Sequence, residues 1–189
     1  MAAPDKPITR LEQYWDAILQ KIQGGGGSGK FAELVDGSIT EVTAEDLAGI
    51  TTIRGYAFYG CADLQSVEIP NGMTSVEGGT FSGCTGLTSV TIPEGVTNIG
   101  AYAFSDCSSL PSVTIPSTVT SIENGAFNGC TGLTSITCLA VAPPTMVNIP
   151  FNNVPADCAI YVPAGSVDAY KAASGWSIRK AYIQAIPSE

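Results

Sequence analysis

Apolar and polar positions along this chain alternate in short bursts that return at a fixed interval. Val67 and Ile69, Val113 and Ile115, and Ile136 and Cys138 each alternate with a polar residue, the period of a half-buried strand. A second short strand is predicted at Met73/Val76, Val96/Ile99 and Val119/Ile122. Between Ile99 and Leu110 the alternation stops, and Ala103-Phe104 with Cys107 three residues on predicts a short helical or 3₁₀ turn. Phe58, Phe81, Phe104 and Phe127 lie 23 residues apart, and Cys61, Cys84, Cys107 and Cys130 and Leu64, Leu87, Leu110 and Leu133 keep the same interval. No helix or strand period gives that spacing, so residues 47–138 are four copies of one structural unit.

One such unit has too few apolar side chains to offset the entropy of ordering its 23 residues. Stacked coils supply the missing burial and share backbone hydrogen bonds, which predicts a solenoid of mainly short β-strands with identical side chains laddered along its axis. Ala57-Phe58, Cys61, Leu64, Val67, Ile69 and Pro70, with the closer copies Phe81 to Pro93 and Phe104 to Pro116, resemble the BspA-like leucine-rich repeats. The resemblance covers about half the chain. It implies a right-handed, non-catalytic solenoid of the kind found in bacterial surface proteins and in phage or prophage proteins.

The flanks divide the chain further. Thr9 with Glu12 is a capping-box signature, and Ile8, Leu11, Trp15, Ile18 and Ile22 alternate spacings of three and four, so residues 1–23 are read as a separate N-terminal α-helix. A helix of this length is marginal alone in water, so its apolar face either folds back on the solenoid or packs on copies of itself or a partner. Pro7 to Ile22 also resembles the short N-terminal helices of structural proteins from phages of Gram-positive bacteria. Residues 24–29 form a Gly-rich linker, natural or engineered. Residues 30–46 read as an N-terminal cap, with a hairpin turning at Asp36-Gly37 and Thr43 and Asp46 capping a helical turn. After Cys138 the period slips by one residue near Pro143-Pro144, giving a degenerate fifth repeat at 139–163. Residues 164–189 read as a C-terminal cap, with Ser166 starting a short helix and Trp176, Tyr182, Ile183 and Ile186 closing the end.

Composition narrows the function. The net charge is −9, and no Lys or Arg stands between Arg54 and Lys171, which argues against nucleic acid and anionic lipid as partners. No apolar run is long enough to cross a membrane, and Asp5, Lys6 and Arg10 interrupt the place of a signal peptide, so folding in the cytoplasm is expected.

Histidine is absent, which removes Ser-His-Asp and Cys-His nucleophilic sites and the commonest transition-metal ligand. The four periodic cysteines stack one per coil instead of converging, as a buried thiol ladder or as neighbours near disulfide distance, and Cys138 and Cys158 at the irregular end are free or paired. The carboxylates form no dyad, and no Asp-rich loop suits calcium. No catalytic residue, metal ligand or cofactor is expected. A ligand surface, if the chain has one, is expected among Tyr56, Tyr59 and Tyr102 at the turn and Glu68, Thr91, Thr114 and Thr137 on the strands. For these residues local packing and plain solubility are the competing readings.

The function expected is that of a non-enzymatic structural and recognition protein in a virion: a head fibre, decoration or tail appendage of a phage or prophage. It would be assembled in the host cytoplasm and bind a host surface protein or glycan. A bacterial cell-surface adhesion module is the alternative. The partner of residues 1–23 is expected to be a second copy or a phage structural protein. Light scattering on residues 1–189 beside residues 30–189 tests this, with a defined oligomer expected for the full chain alone; two monomers would remove the homo-oligomer.

Overall fold

The computed structural model describes residues 40–47 and 49–188. Each coil contributes two strands. The first series is β1 (Glu41–Val42), β2 (Ser66–Glu68), β4 (Ser89–Thr91), β6 (Ser112–Ile115), β8 (Ser135–Cys138) and β10 (Ala159–Val162). The second is β3 (Ser75–Val76), β5 (Asn98–Ile99), β7 (Ser121–Ile122) and β9 (Thr145–Met146). Every pairing is parallel and joins equivalent residues, as in Val67 with Val90 and Ile99 with Ile122. Both predicted strand series are therefore present, and the coils stack as a leucine-rich-repeat solenoid. The Ala103-Phe104 segment is a run of turns, closed by Ser105 N–H to Tyr102 O and Cys107 N–H to Phe104 O, with no 3₁₀ helix.

The first strand series divides into two sheets, β1-β2-β4 and β6-β8-β10, the latter extended by β11 (Ile183–Ala185). Pro111 accounts for the break. Its equivalents Thr88 and Thr134 donate their N–H to Gln65 O and Pro111 O of the preceding coil, whereas proline has no N–H to give Thr88 O. The one-residue slip also has a place. Six residues, 139–144, link β8 to β9 where five, 116–120, link β6 to β7, and all later pairings to the fourth coil are offset by 24.

The interior is one continuous core in which Phe81, Phe104, Phe127, Leu87, Leu110 and Leu133 have no exposed surface. Phe58, Phe81, Phe104, Phe127 and Phe151 form a column with successive ring centroids 5.2, 5.4, 5.3 and 5.4 Å apart. The column ends on Trp176, 5.9 Å from Phe151, whose indole N–H donates to Pro144 O at 2.8 Å.

Beyond β10 the chain makes a 3₁₀ turn (Ala164–Ser166), α1 (Val167–Ala172) and a 3₁₀ segment (Trp176–Tyr182) kinked at Arg179. Two details differ from expectation. Ser166 occupies the N-cap of α1 but its side chain makes no capping bond, and Tyr182 is exposed. Ile183 pairs with Ile160, so this region also adds a strand to the sheet. At the other end Thr43 and Asp46 form the expected reciprocal pair: Asp46 Oδ2 accepts from Thr43 N and Oγ1 at 2.9 and 2.6 Å, and Asp46 N donates to Thr43 Oγ1 at 3.3 Å. The predicted helix carrying Ile8, Leu11, Trp15, Ile18 and Ile22, the linker, and most of the hairpin lie outside the described residues.

Phe104 packs between two rings of the column and is fully buried, so Phe104→Ala is expected to lower stability by about 3–5 kcal/mol. Urea unfolding followed by circular dichroism measures this. A loss below about 1 kcal/mol would show that the column adds little.

Candidate recognition face

The strands lead each coil into a turn, and the turns form a continuous face of their own. Backbone bonds join them: Tyr56 N–H to Gly78 O at 3.1 Å, Gly79 N–H to Ala101 O at 2.8 Å, and Tyr102 N–H to Asn124 O at 3.0 Å. Each turn passes through the left-handed region twice, first at Tyr56, Gly79, Tyr102, Gly125 and Asn148, then at Gly60, Gly83, Asp106, Gly129 and Asn153. Tyr56 has φ +61° and Tyr102 φ +58°. A side chain at such an angle costs about 1–2 kcal/mol relative to glycine.

The rings of these tyrosines lie on the following coil. A Cβ on Gly79 would collide with the Tyr56 ring, and one on Gly125 would fall 2.6 Å from Tyr102 Cε1. Tyr102 Oη accepts from Asn124 Nδ2 at 3.0 Å, and Tyr59 meets Tyr56 edge-on with centroids 6.0 Å apart. Packing is thus part of their role, yet Tyr56, Tyr59 and Tyr102 remain 58, 55 and 42% exposed.

Further along the same face the tyrosines give way to amides. Asn128 Nδ2 donates to Ser105 Oγ at 3.4 Å, and Asn128 Oδ1 accepts from Asn152 and Asn153 Nδ2 at 3.0 and 3.4 Å. The face ends in a pocket of about 220 Å³ between the fifth turn and the C-terminal region, walled by Met146, Asn148, Ile149, Phe151 and Ile178. Arg179 stands beside it with its guanidinium engaged by three carbonyls: Nη1 donates to Pro155 O, and Nη2 to Phe151 O and Val154 O.

Glu68, Thr91, Thr114 and Thr137 lie elsewhere, on β2, β4, β6 and β8, and the structure does not bring them together with the tyrosines. Glu68 and Thr91 are neighbours in register, as are Thr114 and Thr137, with the Pro111 break between the pairs. Glu68 accepts the Ala44 N–H at 3.2 Å, which gives it a structural role. Thr88 and Thr134 donate their hydroxyls to carbonyls of the preceding coil, both at 3.0 Å. The sequence reading missed the amides at 124, 128, 148, 152 and 153. The signal available was that Asn148 continues the column of Tyr56 and Tyr102 once the inserted residue is allowed for.

The cysteines are buried and free. The thiols of Cys84, Cys107 and Cys130 donate to Phe58 O, Phe81 O and Phe104 O at 3.1, 3.3 and 3.1 Å, so the ladder also binds coil to coil. Cys138 accepts from Tyr170 Oη at 3.2 Å, and no Cys138–Cys158 bond exists. Burial, with the nearby Asp63 carboxylate, raises Cys61 to about 11. Burial raises Cys130 to about 12 and drives Cys84 and Cys107 further up. Among the described residues no group of three His, Cys, Asp or Glu side chains could hold a metal ion.

Parallel coils, an inward ladder repeating every 23 residues and an outward turn face define a leucine-rich-repeat solenoid. The family model of the BspA type leucine-rich repeat region (6 copies) matches residues 37–149, and the chain belongs to that family. Repeats of this type are typically binding modules, and proteins that carry them are typically found at cell surfaces. Among solved structures the chain is similar to a leucine-rich repeat protein from Bacteroides ovatus, at 24% identity and TM-score 0.58 over 80% of this chain and 38% of that one. It is similar to the leucine-rich repeat protein of T. pallidum, at 25% identity and TM-score 0.57 over 67% of this chain and 60% of that one. The pneumococcal vaccine antigen PcpA shares the fold, at 14% identity and TM-score 0.54 over 79% of this chain and 42% of that one. The chain therefore spans less than two thirds of each of these proteins. No curated protein matches it, and no helix among the described residues is long and apolar enough to cross a membrane.

The thiol shifts predict a pH dependence. A thiol whose folded pKa lies above its unfolded value near 8.5 stabilises the fold fully below that value and ceases to do so as pH rises through the folded pKa. Stability is expected to be flat between pH 6 and about 8, then to fall from pH 9 towards 11 by about 1.4 kcal/mol per pH unit for each such thiol. Urea titrations across this range measure the slope, which should flatten in Cys61→Ala and Cys130→Ala; an unchanged slope would assign it to other groups.

Proposed function

We propose that the chain is a non-enzymatic recognition module whose solenoid holds its turn face against a target surface. The observation that supports this most directly is that Tyr56 and Tyr102 stay half-exposed at left-handed backbone positions where the next coils use glycine. Strain retained at an outward position points to selection for contact rather than for stability. Exposed tyrosine combines contact area with a hydroxyl at low entropic cost.

The setting we propose is a phage or prophage virion, with the solenoid as a head fibre, decoration or tail appendage. Residues 1–23 would join it to copies of itself or to a phage structural protein. The resemblance of Pro7 to Ile22 to helices of phage structural proteins supports this assignment. A bacterial cell-surface adhesion module is the second reading, favoured by the family to which residues 37–149 belong.

Two measurements test these readings. The fluorescently labelled full chain is expected to bind intact target cells saturably, in competition with unlabelled chain; no saturable binding to any cell type would overturn the recognition role. Immunogold labelling with antibodies to residues 40–188 is expected to mark phage particles. Gold confined to the bacterial envelope would establish the second reading instead.

A further inference from the structure

We propose that the turn face binds a neutral oligosaccharide laid along the solenoid axis, with one terminal ring in the pocket beside Ile149 and Ile178. This deepens the recognition role proposed above and rests on it. Three features meet on the one face. At one end stand aromatic plates, Tyr56 with Tyr59 and then Tyr102. Past them run hydrogen-bonding groups suited to hydroxyls: Asp106, Asn124, Asn128, Asn152 and Asn153. The pocket of about 220 Å³ closes the other end.

A pyranose presents a C–H face that packs on an aromatic ring and a rim of hydroxyls that donate and accept, which an amide side chain can answer in both senses. The spacing suits a chain of such rings. Tyr56 and Tyr102 are two coils apart, about 10 Å at the parallel strand spacing and roughly the length of two pyranose units. From Tyr56 to Asn148 the face spans four coil steps, about 19 Å, or roughly four units.

Charge selects among glycans. No Lys or Arg lies between residues 55 and 170, and the Arg179 guanidinium at the pocket is held by three carbonyls. A sialylated, uronic or sulfated chain would meet Asp63 and Asp106 without a cation to offset them. At the pocket Ile149 and Ile178 are 59 and 79% exposed, an apolar rim that favours a ring bearing a methyl group, whether acetamido or 6-deoxy. A protein partner fits less well, because glycines separate the aromatic plates and leave no continuous apolar centre for an interface.

The test uses the full chain on an array of neutral and acidic oligosaccharides, followed by calorimetry with the strongest neutral glycan. The variant is Tyr56→Gly with Tyr102→Gly. Glycine already serves at the equivalent positions 79 and 125 and relieves the left-handed strain, so the variant should melt no lower than the parent. The expected result is binding confined to neutral glycans of about four units, weakened on the order of tenfold in the variant. No glycan binding, preference for acidic glycans, or unchanged affinity in the variant would overturn the inference. So would weakening by Thr91→Ala with Thr114→Ala on the strand face instead. Periodate oxidation of cell-surface glycans separates this inference from the broader reading: cell binding that survives it leaves the recognition role standing and removes the glycan. Binding to neither cells nor glycans removes both.

Discussion

Everything in this structure depends on a parallel backbone hydrogen bond that leaves one coil and lands at the equivalent place on the next. It is made on three faces: along the first strands, along the second strands, and through the turns, as from Phe58 N–H to Thr80 O and Phe81 N–H to Ala103 O, both 2.8 Å. Bonds on three faces fix the number of residues per coil, because a change of length on one face would shift the other two. The extra residue of the fifth coil is accommodated in the segment 139–144, where Pro143 and Pro144 stand between the two strands. From there the offset is carried unchanged into the Phe127–Phe151 stack, at 5.4 Å.

The same constraint decides which side chains can stand inside. An inward position is flanked by its own equivalents before and after, so each residue type must pack against itself. Phenylalanine does this by parallel stacking and leucine by dispersion. Cysteine does it with the further advantage of a weak donor. Phe81 O accepts both the Cys84 N–H of its own turn and the Cys107 thiol of the next coil, which satisfies the two lone pairs of a buried carbonyl. Alanine at those positions would fill less space and leave the second lone pair without its partner. The thiols therefore repeat for a structural reason, and their burial holds them protonated.

Most of the fold was legible in the sequence because the 23-residue period writes the inward positions directly. The strand pairs, the slip after Cys138 and the Thr43–Asp46 pair all follow from residue identity and spacing. What escaped had other causes. The sheet break at Pro111 arises from a missing N–H that matters only once its acceptor, Thr88 O, is known to lie one coil away. The sequence gave no sign that Ile183 would pair with Ile160, since residues 164–182 do not carry the repeat. The recognition face was half legible. The tyrosines stood out as departures from small residues, but grouping them with Glu68 and the Thr ladder merged two faces that only the coil geometry separates. The amides at 128, 152 and 153 were missed because each is an ordinary turn residue when read alone.

The turn face also shows how a scaffold of repeats limits the ligand it can carry. At 56, 79, 102, 125 and 148 the backbone angle is set by the stacking of turns, while the side chain points outward and is free to vary. Glycine would be the unstrained choice throughout. A tyrosine there lays its ring over the α-carbon of the next coil, and that position must then lack a Cβ, as Gly79 and Gly125 do. Two consecutive coils therefore cannot both carry the ring, and the shortest repeat of aromatic plates this solenoid can present is two coils. The spacing of Tyr56 and Tyr102 is that minimum. A target matched to this face needs a periodicity near 10 Å along the axis, about twice the strand spacing. The hydrogen-bonded coil thus passes its own period, doubled, to whatever it recognises.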